Sequence, residues 1–402
     1  MKVLEISGIG SIGDVYPFIG LGVALKARGH RVTIMASGRF RKNAEEAGLE
    51  FVRLGPSDEM MLNPLRPKWV REEAMPLVLN DVYRLIEENY DPGRTLVVAA
   101  LGTIGAAVAG EKLGVPVVYA SVSPAYFQKH LDPFLRRAGP AYGMLYEATY
   151  RPRTAPDAFR AQLGLPHKSF SEWLEWCRSP GPVMGLFPEW YAPSQARWLA
   201  KVSLTEFSLY DAADKWTPPE GLVQFLEQGD PPLVFAPSSW SRLTERAITE
   251  GAAACRLLGR RGIFVNVREN EISHRVSSEI GLFGYLPFSW ILPRSAAVIH
   301  HGGMGTASQA LAAGIPQLVI PLHFVQRYDS GILRKLGVAL RCRPLRAQAA
   351  RLARALGELL QSPEIAANCR LFAERMVEQK GMEKACLAVE RTAIAGGHQS
   401  VE

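Results

Sequence analysis

The chain opens on a short apolar run, Val3-Leu4-Glu5-Ile6-Ser7, and a glycine-rich stretch from Gly8 to Gly13. Helical apolar spacing then runs from Pro17 to Arg28 through Phe18, Leu21 and Leu25; Gly29 stops it, and Arg31 to Met35 alternates as a strand. A helix over Phe40–Ala47 ends at Gly48, and Phe51–Leu54 reads as a third strand. The pattern returns as strand Thr95–Ala100, helix Thr103–Leu113 and strand Pro116–Ser121. Strands alternating with helices predict a parallel sheet covered on both faces. A second alternation starts at strand Leu233–Ala236. It continues through helix Leu243–Leu258, strands at Gly262–Val267, near Leu282 and at Ala297–His300, helix Gly305–Ala313, strand Gln317–Ile320 and helices from Gln326 onward.

Between the two alternations lies a segment rich in Asp, Pro and Gly, residues 211–232, around a short helix at Gly221–Gln228. The predicted organisation is α/β: an N-terminal domain over 1–210, a linker over 211–232 and a C-terminal domain over 233–375. A last helix, 376–402, packs back on the first domain. Two doubly wound, Rossmann-like domains would face each other across a cleft, with ligands outside the carboxyl ends of the strands. Residues 125–200 are less regular and dense in aromatics, among them Tyr126, Phe127, Trp173, Trp176, Phe187, Trp190, Tyr191 and Trp198. An apolar acceptor pocket and plain core packing both account for that density.

A length of 402 residues suits two domains. The five cysteines, Cys177, Cys255, Cys342, Cys369 and Cys386, form no C-x-x-C pair, so no disulfide framework or zinc site is expected. No apolar run reaches bilayer length and no signal-peptide order opens the chain, which points to the cytosol. The formal charge of +7 suits an anionic ligand or loose contact with acidic lipid headgroups. The basic residues follow no nucleic-acid reader motif, so no nucleic-acid partner is expected.

The strongest chemical signal is Ala297 to Thr306, AVIHHGGMGT, followed by an Ala-rich helix and Gly314-Ile315-Pro316-Gln317. A strand ends on two histidines and a glycine turn opens a helix, whose first N–H groups and positive pole attract a diphosphate. His301 and Thr306 add side-chain donors. A second signal is Gly8-Ile9-Gly10-Ser11-Ile12-Gly13-Asp14. Its glycines mimic a dinucleotide fingerprint, but Asp14 would repel a pyrophosphate, and the acidic residue expected after the second strand is replaced by Ala36-Ser37-Gly38-Arg39. Asp14 reads equally as a general base facing an acceptor hydroxyl and as a helix-capping carboxylate.

Together these segments resemble the family 1 glycosyltransferases of GT-B fold over nearly the whole chain. Gly10 to Pro17 is similar to the family's G-S-x-G-D-V-x-P opening, and Gly29 to Thr33 to its G-H-x-V-T. Ile299 to Gln326 resembles its donor signature, H-H-G-G-x-G-T through A-G-x-P-Q to P and Q. Leu186 to Pro193 is similar, more narrowly, to the rhamnosyltransferase B chain of rhamnolipid synthesis; sterol and antibiotic glycosyltransferases are more distant.

The resemblance implies an inverting, metal-independent transfer that uses no cofactor beyond its nucleotide-sugar substrate. The sugar, rhamnose, another deoxysugar or glucose, would pass from a dTDP or UDP donor to a hydroxyl of a small apolar or lipidic acceptor. It implies Asp14 as base with Ser11 lining the same site, and the aromatic stretch offers Trp173 and Trp190 on the acceptor side. Ser239, His301, Gly303, Gly305 and Thr306 would hold the diphosphate, Tyr285, Phe288 and Gln309 the base and ribose, and Gln326 the donor sugar. A lipid acceptor would bring peripheral membrane contact through the N-terminal domain.

Three positions depart from the family. Gln309 stands where a ribose-binding glutamate is expected, which leans toward deoxyribose; Val325 replaces an acidic residue before Gln326; Ser238 replaces a glycine. These departures keep open a second reading, a catalytically weak partner protein of the same fold that binds and activates another enzyme.

Overall fold

The computed structural model describes residues 1–8, 11–55, 75–127, 154–168, 181–194, 198, 202–236, 244–267, 279–343, 348–379 and 382–397. The chain divides into two compact units: Met1–Ser208 with Gly381–Glu402, and Leu209–Lys380.

The first unit is built on a seven-stranded sheet ordered β3-β2-β1-β4-β5-β6-β7. Its strands are β1 (Lys2–Gly8), β2 (Arg31–Ala36), β3 (Glu50–Arg53), β4 (Thr95–Ala100), β5 (Val117–Ser121), β6 (Val183–Gly185) and β7 (Val202–Leu204). Every ladder is parallel, with Val3 of β1 opposite Val32 on one side and Leu96 on the other. Near-continuous apolar runs such as Thr95–Ala100 suit strands buried on both faces.

Helix Ile12–Ala27 lies on β1 and buries Val15, Phe18, Ile19, Leu21 and Leu25. The approach is close enough to require glycine at position 22, where a Cβ would come within 2.9 Å of Glu5 Oε2 and Leu49 Cδ1. Glu5 itself, on β1, is fully buried; neither carboxyl oxygen has a hydrogen-bond partner among the described residues, and burial pushes its pKa well above the carboxylate range.

The chain returns to this unit at its end through helix Glu383–Gly397. Buried Glu206 accepts a hydrogen bond from Lys384 N at the start of that helix. Further along the same helix, Arg28 grips Glu390 through two 2.8 Å bonds and His30 lies 3.0 Å from the same carboxylate. The Arg28 bond, with His30 beside it, holds Glu390 down at about 2.

The second unit carries a six-stranded parallel sheet ordered β10-β9-β8-β11-β12-β13. Its strands are β8 (Leu233–Ala236), β9 (Gly262–Phe264), β10 (Ile280–Leu282), β11 (Ala297–His300), β12 (Gln317–Val319) and β13 (Ala339–Arg341). Along β8, Leu233 and Phe235 enter one core cluster while Val234 and Ala236 enter the other. On β11, Ala297 and Ile299 likewise part from Val298. The period-two alternation thus serves two buried faces.

Residues 211–232, expected as a linker, belong to the body of this unit: Leu222 and Phe225, on helix Glu220–Glu227, are core residues. Pro219 caps the start of that helix rather than marking a free tether. The last helix, expected from 376, begins at Glu383: the chain joins the first unit from Gly381, while the preceding helix Pro363–Val377 stays with the second. Strands β6, β7 and β13, three residues each, were not anticipated.

Candidate active site

In each sheet the strand order reverses at one place, between β1 and β4 in the first and between β8 and β11 in the second. Adjacent loops leave such a switch point in opposite directions, opening a crevice outside the carboxyl ends of the strands. The segment carrying Ser11 and Asp14 follows β1, and the His301–Gly303 turn follows β11. Both motifs picked out from the sequence therefore stand at a switch point.

At the end of β11, buried His300 fixes the turn. Gly302 N donates to its Nδ1 (3.2 Å), so the ring proton sits on Nε2, which faces Gln317 Oε1 at 3.1 Å. Gln317 Nε2 in turn reaches Ala307 O, inside the helix that follows. Burial, with His301 adding to it, lowers His300 to about 3 and keeps it neutral. His300 is a brace for the glycine turn, while His301 is the histidine presented at the helix start. Gly302 has φ +93, open to glycine and strained for other residues, and a Cβ there would press on Val319 and on the Gln326 backbone. At Gly303 a Cβ would come 2.7 Å from His301 Nε2. The missing side chain is what lets the imidazole lie against the N-terminus of helix Met304–Ala313. The N–H groups of Met304, Gly305 and Thr306 form the first turn of that helix and have no acceptor within it. The imidazole of His301, the helix pole and Thr306 thus stand together at one helix start, with no acidic side chain in the first turn.

The other donor-side residues divide. Gln326, buried, sits beside Gly302, and its Oε1 accepts from Leu322 N (2.8 Å), closing the start of helix Phe324–Lys335. Gln309 is buried and spends its NH₂ on Leu209 O (2.7 Å). Tyr285 donates its hydroxyl to Asp211 O (2.7 Å), so only its ring remains for a base; Phe288 packs partly against the core. Asp211 was missed as a structural residue. Its carboxylate accepts from Ser289 N and Oγ, clasping the start of the unit to the 285–289 segment. Nothing in its sequence surroundings separates it from an ordinary turn aspartate. Ser239 and Ser238 lie outside the described residues.

In the first unit the helix begins at Ile12, five residues earlier than expected, so Asp14 stands inside the first turn rather than before it, and Pro17 inside the helix. Ser11 is the N-cap, and Asp14 Oδ2 accepts from both Ser11 N (2.7 Å) and Ser11 Oγ (2.8 Å). The S-x-x-D spacing was the available signal for that start. Asp14 remains exposed. Capping and presentation of a carboxylate therefore coexist in one residue.

On the acceptor side, Trp173 lies outside the described residues. Trp190 is half-buried against Tyr191 and Phe207. Phe127, Phe187, Tyr191 and Trp198 pack on one another as fully buried core, so this part of the aromatic density fills the fold rather than lining a pocket.

Two family models match the chain: the glycosyltransferase family 28 N-terminal domain over residues 4–131, and the erythromycin biosynthesis protein CIII-like C-terminal domain over 262–385. The chain is 30% identical to the O-mycaminosyltylonolide 6-deoxyallosyltransferase of Streptomyces fradiae, across 96% of each chain. It belongs to the GT-B glycosyltransferases. A further relative of this glycosyltransferase is the sterol 3-beta-glucosyltransferase of Pichia angusta, 26% identical over 94% of the chain. Only 32% of that much longer protein is spanned. Among solved structures, the glycosyltransferase of kitacinnamycin shares the fold with a TM-score of 0.76, covering 98% of this chain and 99% of that one at 19% identity. The glycosyltransferase VinC, solved in complex with dTDP, shares it with a TM-score of 0.71 at 19% identity, covering 98% and 100%. No helix among the described residues is long and apolar enough to cross a membrane.

Proposed function

We propose that this glycosyltransferase moves a deoxysugar such as rhamnose from a dTDP-linked donor to a hydroxyl of a small apolar or lipidic acceptor, inverting the anomeric carbon without a metal. One observation carries the reading: one sheet offers an exposed carboxylate at its switch point, the other a glycine turn, an imidazole and a helix pole at its own. In the reaction Asp14 takes the proton of the acceptor hydroxyl as its oxygen bonds to the anomeric carbon. The bond from that carbon to the phosphate oxygen breaks, and dTDP leaves with the electron pair. The N–H groups of Met304, Gly305 and Thr306, together with His301 and the Thr306 hydroxyl, meet the charge that develops on the leaving diphosphate.

Gln309 supports a deoxyribose donor. With its NH₂ held by Leu209 O, it offers a ribose one neutral acceptor oxygen in place of a carboxylate that could hold two hydroxyls. The dTDP complex of VinC and the deoxysugar in the name of the Streptomyces fradiae relative point the same way. The rhamnosyltransferase-like segment Leu186 to Pro193 supports rhamnose, and the sterol and macrolide relatives support an apolar acceptor.

The test is a thermal-shift panel with UDP, dTDP, GDP and their glucose and rhamnose conjugates. A ligand at about a hundred times its dissociation constant adds roughly 2.7 kcal/mol to stability. Stabilisation selective for dTDP and dTDP-rhamnose is the expected outcome. A stronger response to UDP would refute the donor assignment, and no response to any nucleotide would refute transfer.

A further inference from the structure

The mechanism leaves one strongly charged surface unused. Arg327 and Arg334 lie seven residues, two turns, apart on helix Phe324–Lys335, so they share one side of it. This helix connects β12 to β13, the edge strand of the second sheet, and packs on β13. Along that edge Leu340 and Cys342 turn toward the core cluster containing Leu318 and Leu352. Arg341 and Arg343 alternate to the opposite face. All four are exposed residues. Partial burial, then the fields of Arg334, Arg327 and Arg343, pull Arg341 below the ordinary arginine value, which places those three within electrostatic reach of Arg341. Among the described residues no carboxylate pairs with any of them.

Edge strands are commonly guarded by charge, which accounts for one or two such residues. A helix C-terminus favours a cation, which accounts for Arg334. Neither accounts for mutually repelling guanidinium groups from two elements converging on one face without a counter-charge. Four fixed positive charges on one open face fit a polyvalent anionic surface rather than a single small anion.

We propose that Arg327, Arg334, Arg341 and Arg343 form the face by which this enzyme docks on an anionic lipid surface. The choice of lipid over an acidic peptide rests on the proposed apolar acceptor, which would partition into such a surface. It places membrane contact on the donor-binding unit, where the sequence reading had put it on the N-terminal one.

Each basic residue near an anionic bilayer strengthens binding roughly fivefold, so four together contribute about two to three orders of magnitude. The test is co-sedimentation of the full chain with phosphatidylcholine vesicles and with vesicles also containing phosphatidylglycerol, with no substrate present. Expected is binding only to the anionic vesicles, weakened by salt and lost in the variant R327Q/R334Q/R341Q/R343Q. Melting temperature and turnover on a water-soluble acceptor should stay unchanged in that variant. Equal vesicle binding by the variant, or none by the wild type, would overturn the proposal. So would salt-sensitive capture of a polyglutamate peptide without vesicle binding, which would favour an acidic protein partner. Because vesicle binding is read without catalysis, its failure leaves the transferase reading standing, and a failure of turnover leaves this one standing.

Discussion

Asp14 holds two positions at once, and conservative substitutions separate them. In Asp14→Asn the amide oxygen can still accept from Ser11 N and Oγ, where Oδ2 now accepts bonds of 2.7 and 2.8 Å. What the helix loses is a full negative charge in its first turn, about 0.3–1 kcal/mol. In Asp14→Ala both bonds go, and the capping contribution of about 1 kcal/mol goes with them. For a unit of roughly 200 residues that is a fall of about 2–4 °C in melting temperature. Loss of a general base slows turnover by about 10²–10⁴, or roughly 2.7–5.5 kcal/mol of barrier, several times the capping effect. The assay measures dTDP release at saturating donor with an apolar alcohol that supports turnover, alongside melting curves and dTDP titrations. Both variants should lose turnover about equally, keep dTDP affinity, and differ in stability. If Asp14→Asn kept a tenth or more of wild-type turnover, the base assignment would be wrong. If activity fell only in proportion to melting temperature, Asp14 would be a cap and nothing more.

Two other residues give sharp expectations. Glu5 has a raised pKa in the folded state, so folding takes up a proton there as pH rises past the ordinary carboxylate range. Stability of the first unit should fall by about 1.4 kcal/mol per pH unit above 4.5 until the folded-state pKa is reached. Glu5→Leu should abolish that decline in urea titrations between mildly acidic and neutral pH; an unchanged slope would mean the carboxyl is not the source. His300, lowered to about 3, has the opposite sign: only the unfolded chain takes up the proton below about 6.5, so the second unit loses stability as pH falls from there toward 3. His300→Phe strands Gly302 N–H and Gln317 Oε1, costing roughly 2–4 kcal/mol. It should also weaken dTDP binding by loosening the turn, and a variant with wild-type dTDP affinity would show that His300 does not brace the anion site.

Both sheets were legible because parallel strands covered on two faces are almost continuously apolar: Val3 to Ile6, Thr95 to Ala100 and Ala297 to Ile299 leave little choice. The glycine turn after β11 was legible for the same kind of reason, since few structures need His-His-Gly-Gly between a strand and a helix. Strands β6, β7 and β13, at three residues, are too short to display a period, and pairing alone defines them. Pro17 drew the predicted helix start toward itself, because proline favours the first turn; the Ser11–Asp14 hydrogen bonds start it earlier and leave Pro17 inside. Residues 211–232 looked like a tether from their prolines, while their two anchors, Leu222 and Phe225, are ordinary residues whose importance lies in what they touch. Likewise the side-chain bond of Gln309 connects residues a hundred positions apart, beyond what spacing reveals.

Because helix Glu383–Gly397 belongs to the first unit, the second unit is an insertion within a discontinuous one. A chimera that exchanges donor specificity with a relative therefore needs two junctions, near 208/209 and near 380/381. Cutting once and swapping everything downstream would replace the surface that Glu206, Arg28 and His30 recognise, along with the buried Cys386 and Val389. Such a hybrid would fail in the half its designer left untouched.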